Sequence, residues 1–140
     1  NIDLIRYVNY TAMETPNQIQ LTEKDKARYR KEIKQVDLEI EQEVMKRVPD
    51  KLDLLMGSSH LDNAQLQLVQ DVAKLYQFLS TYPIESIELR QKILFALQYF
   101  IDPDDDIPDS IPKLGFLDDA AVVRWIVDDI IDDNSEIIQA

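Results

Sequence analysis

The stretch TEKDKARYRKEIKQVDLEIEQEVMKRV, residues 22–48, decides the fold class. Tyr29, Ile33, Val36, Ile40 and Val44 recur at three- and four-residue steps, the period of one helix face. Charges of both signs, Glu32, Lys34, Glu39 and Glu41 among them, fill the positions between. Thr22 followed by Asp25 has the form of a capping box, with Asp in place of the commoner Glu. The spacing predicts one long helix from Thr22 to Val48 that packs along a narrow stripe and is solvated elsewhere. Such a stripe also permits a homodimer through a coiled-coil seam, without requiring one.

Working outward, Pro49 is expected to stop this helix. KLDLLMG, residues 51–57, reads as a single turn ended by Gly57. SSHLD then opens a second helix, with Ser59 or Asp62 as the cap. Leu66, Val69, Ala73, Tyr76 and Leu79 are expected to line its buried side, and Pro83 closes it. Ser86 caps a third helix running to Ile101, with Ile93, Leu94, Leu97 and Phe100 inward. A fourth spans Leu117 to Asp133. No alternating strand pattern, hairpin turn or solenoid-length repeat interrupts the series. The expected fold is all-α: a small bundle of four main helices, one domain over 22–140, preceded by a 1–21 arm or short helix.

Composition narrows the function classes. At 140 residues the chain fits one core, and 45% hydrophobic content argues against disorder throughout. There is no Cys, which rules out disulfides and thiolate metal sites. No apolar run reaches roughly 18 residues, so no membrane span is expected. NIDLIRYVNYTAM lacks the basic flank and long apolar centre of a signal peptide, and a cytoplasmic location is expected. The net charge of −12 disfavours nucleic acid and anionic membrane surfaces.

That charge is placed, not spread. Residues 102–136 hold twelve acidic residues against Lys113 and Arg124, whereas residues 1–70 hold twelve acidic against ten basic. The acid surrounds IDPDDDIPDSIPKLGFLDDAAVV, residues 101–123. Pro103, Pro108 and Pro112 each fix φ and restrain the preceding residue. Ile107 and Ile111 are expected to anchor the loop by burial, and Gly115 to supply a turn before the last helix. The loop therefore reads as rigid despite its polarity.

This run resembles the hallmark of the YkvA-like family, small helical domains found mainly in bacteria and without established chemistry. The family pattern is approximately tyrosine, two apolar residues, then S-P-x-D-x-I-P-D-x-I-P-x-x-G-x-x-D-D. Tyr99, Pro103, Asp105, Ile107, Pro108, Asp109, Ile111, Pro112, Gly115, Asp118 and Asp119 occupy matching positions, within a signature taken as 99–131. Asp104, Asp106, Ser110 and Lys113 stand where relatives usually carry apolar residues, which argues against membrane contact. The resemblance implies a helical fold and no reaction.

Four readings of the acid are open. Asp118 and Asp119 can serve the positive end of the last helix while Asp105 and Asp109 bond turn amides, a purely structural role. Alternatively Asp105, Asp109, Asp118 and Asp119 converge on Mg²⁺ or Ca²⁺, which take hard oxygen ligands. The pattern argues against an EF-hand, because Ile107 stands at its glycine position and Lys113 at its final glutamate. A third reading places a basic protein partner on Trp125, Asp128, Asp129 and Asp132, with Asp133 beside them. On a helical wheel Trp125 projects with these acids near Val122, either as an anchor or covered by another element such as residues 1–21. Ala120, Val123, Ile126, Val127, Ile130 and Ile131 should face the core. Fourth, DDIIDD at 128–133 echoes the aspartate-rich motif of prenyl-chain enzymes, but the chain is too short for that fold and no basic cluster clamps phosphate there. His60 stands without a nucleophile or an orienting group and reads as a turn residue. The expectation is a non-catalytic binding or interaction module. The alternative is a divalent-cation-dependent, phosphohydrolase-like activity centred on the aspartates.

Overall fold

A computed structural model describes residues 21–57, 61–102 and 117–133. Five α-helices account for most of them: α1 (Glu23–Lys34), α2 (Glu41–Met56), α3 (Asn63–Thr81), α4 (Ile87–Ile101) and α5 (Leu117–Asp133). A short 3₁₀ turn, Leu38–Ile40, precedes α2. The all-α expectation holds, with no strand among the described residues.

The expected single helix over 22–48 is two helices. The chain leaves helical geometry after Lys34, and Asp37 accepts a hydrogen bond from the Glu39 amide at 2.9 Å, capping the 3₁₀ turn. An aspartate that bonds nearby backbone in this way competes with helix propagation. Gln91 of α4 stabilises the break by donating from Nε2 to the carbonyls of Lys34 (3.2 Å) and Val36 (3.0 Å). These carbonyls would otherwise be left over at the helix end. Conversely, Pro49 does not stop anything. It lies inside α2, which runs on to Met56 and absorbs the predicted turn at 51–57. Tertiary packing of Val44, Val48 and Leu55 on one face carries the helix past the missing amide.

Local signals at the other helix starts act as expected. Thr22 and Asp25 form the reciprocal capping box of α1, Asp62 and Gln65 that of α3, and Ser86 caps α4. The face of α3 differs from the one expected. Leu68, Val72, Leu75 and Leu79 form the innermost row, with Val69 beside it, while Leu66 and Ala73 are exposed and Tyr76 is half-buried.

α4 is the central helix, packed against α1, α2, α3 and α5. Ile93, Leu94, Phe95, Ala96 and Leu97 are buried in succession, as in a helix covered on nearly every side. α5 packs against α3 and α4, and its expected core residues Ala120, Val123, Ile126, Val127, Ile130 and Ile131 are all buried. No described helix is long and apolar enough to cross a membrane.

Candidate functional site

The first turn of α5 brings two carboxylates into a nearly closed environment. Asp118 is 8% exposed and Asp119 9%. Tyr99, buried on α4, points its hydroxyl at Asp118 Oδ2 from 3.4 Å. That hydroxyl also bonds to Tyr29 of α1, and Arg28 Nη2 donates to the Tyr29 hydroxyl at 3.2 Å. Arg28 in turn lies 3.7 Å from Asp25, the capping-box residue of α1. A polar chain thus runs from the opening of α5 through the core to the opening of α1. Burial pushes both phenols above their ordinary range. For Tyr99 the nearby charges of Asp118 and Asp119 add to this, since a phenolate would face like charge.

Of the four candidate cation ligands, Asp118 and Asp119 are adjacent here. Asp105 and Asp109 lie outside the described residues, as do Pro103, Ile107, Pro108, Ile111, Pro112, Gly115 and His60. Among the described residues no group of three or more acidic or histidine side chains is placed to hold a metal ion.

The candidate partner surface sits farther along α5. Trp125 is half-buried, tilted against Tyr29 with ring centroids 6.3 Å apart, and the Arg30 guanidinium lies 5.6 Å from its ring centre. It is covered on one side by α1. Its supposed neighbour on the acidic side, Val122, is fully buried. Asp129 and Asp133 share Lys92 of α4, at 2.9 and 2.8 Å. Asp128 pairs with Arg124 at 3.3 Å, and Asp132 is exposed. The acids of α5 therefore do not form one solvated face: Asp118 enters the core, Asp128 and Asp129 are half-buried, and Asp132 and Asp133 face solvent.

One buried ionic group was not singled out from the sequence. Asp71 of α3 is 1% exposed, and its Oδ1 lies 3.2 Å from Arg124 Nη1 across the α3–α5 contact. Arg124 thereby stands between Asp71 and Asp128. Burial pushes the Asp71 carboxyl up to about 7 despite the opposing pull of Arg124, and Asp128 and Lys74 contribute in opposite senses. The signal was present: Arg124 is the one cation within the apolar run AAVVRWIV, and Asp71 interrupts the Leu68–Val72–Leu75 row. A charge in such a place needs a partner on the facing helix.

No curated protein and no solved structure matches the chain. Residues 91–125, from the middle of α4 to the middle of α5, match the family described as "Protein of unknown function (DUF1232)". They take in Tyr99, Asp118, Asp119 and Trp125. The YkvA-like resemblance is to a member of that family, so the match over residues 91–125 agrees with it.

Proposed function

We propose that this domain is a non-catalytic interaction module that receives a basic protein segment on the outer flank of α5. The observation that carries this reading is a surplus of charge. Asp128, Asp129, Asp132 and Asp133 crowd the C-terminal end of α5, where the helix dipole already disfavours negative charge and four-residue spacing makes them repel. Lys92 and Arg124 offset part of it, while the Asp132 and Asp133 side stays open to solvent. A basic segment would relieve this repulsion, and complementary charge speeds encounter and selects partners.

The test is fluorescence polarisation of labelled decalysine with the full chain. Binding should weaken with salt and fall at least tenfold in Asp132→Lys/Asp133→Lys. No binding at low ionic strength, or binding indifferent to that charge reversal, overturns the proposal.

The two carboxylates enclosed beside Tyr99 favour a second reading, a cation-dependent activity at the opening of α5. Millimolar Mg²⁺ or Ca²⁺ would then raise the melting temperature by several degrees, and Asp118→Asn would abolish the rise. On the interaction reading the cations change it only slightly.

A further inference from the structure

Helix α1 has the opposite charge character to the helix it partly covers. It carries six basic residues against three acidic, whereas α5 carries six acidic against one basic. Lys26, Tyr29 and Arg30 share one face at i, i+3 and i+4, and Tyr29 and Ile33 are the apolar residues that the helix buries. Tyr29, fully buried, is a plug in a socket of three rings. Its ring centroid is 5.7 Å from Phe95, 5.9 Å from Tyr99 and 6.3 Å from Trp125. Arg30 covers the Trp125 ring, and Lys26, paired with Glu23 at 3.5 Å, adds a weaker positive charge on the Asp128 side, where burial is the largest effect and raises the Asp128 pKa. Beyond Lys34 the chain is non-helical at Val36 and Asp37, and Gln91 pins this short connection to α4. α1 is therefore a short helix with an aromatic anchor, a buried isoleucine one turn on, flanking cations and a fixed pivot.

We infer that α1 is a cover bound in cis on the Trp125–Asp128 edge of α5, and that the ligand of this edge in trans is a basic amphipathic helix with an aromatic residue between two cations, taking α1's place. This rests on the interaction reading above and deepens it by naming the partner's chemistry. An aromatic is required because withdrawal of Tyr29 removes the one ring shared by Phe95, Tyr99 and Trp125, leaving only the Phe95–Tyr99 contact at 6.2 Å. Flanking cations are required because Trp125 presents its face, and Asp128 its carboxylate, to whatever replaces Arg30 and Lys26. The docked cover lowers apparent affinity by the fraction of molecules in which it is closed, so loosening it should tighten binding.

The probe is a labelled peptide of residues 21–37 of this chain, titrated into the full-length protein. Two variants loosen the cover: Tyr29→Ala, which removes the plug, and Lys26→Glu/Arg30→Glu, which leaves the core intact should the first fail to fold. Both should shift Trp125 emission to the red and bind the peptide at least tenfold more tightly than the unaltered chain. In the Lys26→Glu/Arg30→Glu background, Asp128→Lys should reverse the gain. Equal affinity for the unaltered and charge-reversed chains, or a gain that survives Asp128→Lys, overturns the inference. Decalysine binding that depends on Asp132 and Asp133 would persist in that case, so failure of the cover and failure of the acidic flank read out separately.

Discussion

Tyr99 and Asp118, nineteen residues apart on consecutive helices, meet inside the protein with the phenol hydroxyl 3.4 Å from the carboxylate. Both belong to the segment that carries the family match. The contact joins the end of α4 to the beginning of α5 across the acidic proline-rich connection. Through Tyr29 it also reaches α1. Whatever acts on the opening of α5 is thus in contact with the helix that covers Trp125.

Tyr99→Phe tests this link. The ring stays and the hydroxyl goes, so aromatic packing on Tyr29 and Phe95 is kept while Asp118 loses a donor and the Tyr29 hydroxyl loses a hydrogen-bond partner. Leaving a buried acceptor short costs about 1–3 kcal/mol. A separation of 3.4 Å is long for an O–H···O bond, which puts the expected loss at the lower end, ~1 kcal/mol. In a double-mutant cycle with Asp118→Ala, which removes the acceptor, urea unfolding should give a coupling of roughly 0.5–1 kcal/mol. Strict additivity would mean that the two side chains are neighbours without a bond.

The capping box of α1 offers a separate handle on the Trp125 environment. The Thr22 side chain accepts from the Asp25 amide at 3.1 Å, and Asp25 answers to the Thr22 amide at 3.4 Å. Thr22→Ala should cost ~1 kcal/mol, as helix caps usually do. Because α1 is only twelve residues long, much of that loss should appear as fraying of α1. Trp125 emission should therefore shift to the red at denaturant concentrations too low to affect the far-ultraviolet signal of the other helices. Coincident transitions would show that α1 melts only with the whole domain.

Much of this architecture was legible because local chemistry and tertiary packing agree. Thr22–Asp25, Asp62 and Ser86 each mark a helix start by supplying an oxygen to unpaired amides, and each does so here. The inward rows of α4 and α5 could be read from apolar spacing alone. The errors arose where tertiary contacts decide. Nothing local shows that Gln91 stands 55 residues downstream to donate to the Val36 carbonyl, so the break after Lys34 was hidden. Pro49 was overruled by the buried face of α2. The site was less legible than the fold. Periodicity placed Trp125 on the acidic side, but which helix covers it depends on how α1 packs, and the Asp71–Arg124 pair joins two helices that no local pattern relates.

Pro49 gives a direct stability prediction. Without an amide hydrogen it cannot complete the helical bond to the Met45 carbonyl, and its ring crowds that carbonyl. Pro49→Ala restores the bond and raises helix propensity by up to ~3 kcal/mol, less the ~0.4–1 kcal/mol by which proline restricts the unfolded chain. A net gain of about 1–2 kcal/mol in unfolding free energy is expected, read as a higher denaturation midpoint. A loss would show that the half-buried ring contributes more by packing than it costs the helix.

Asp71 predicts an unusual pH dependence. Burial raises its folded-state pKa to about 7, against an unfolded value near ~3.9. The folded protein therefore holds this proton more tightly than the unfolded chain does. The contribution to stability is fully present below about pH 4 and is lost as pH rises through about 7, the reverse of a carboxylate whose pKa is lowered by an ion pair. Asp71→Asn, a neutral isostere of the protonated acid, should match the unaltered chain near pH 4 and gain on it steadily up to pH 8. Guanidinium denaturation across that range reads the difference, and using the difference removes the titration of the remaining carboxylates. If the unaltered chain instead gains on Asp71→Asn as pH rises, the attraction of Arg124 at 3.2 Å outweighs burial, and the pair is a net stabilising ion pair at neutral pH.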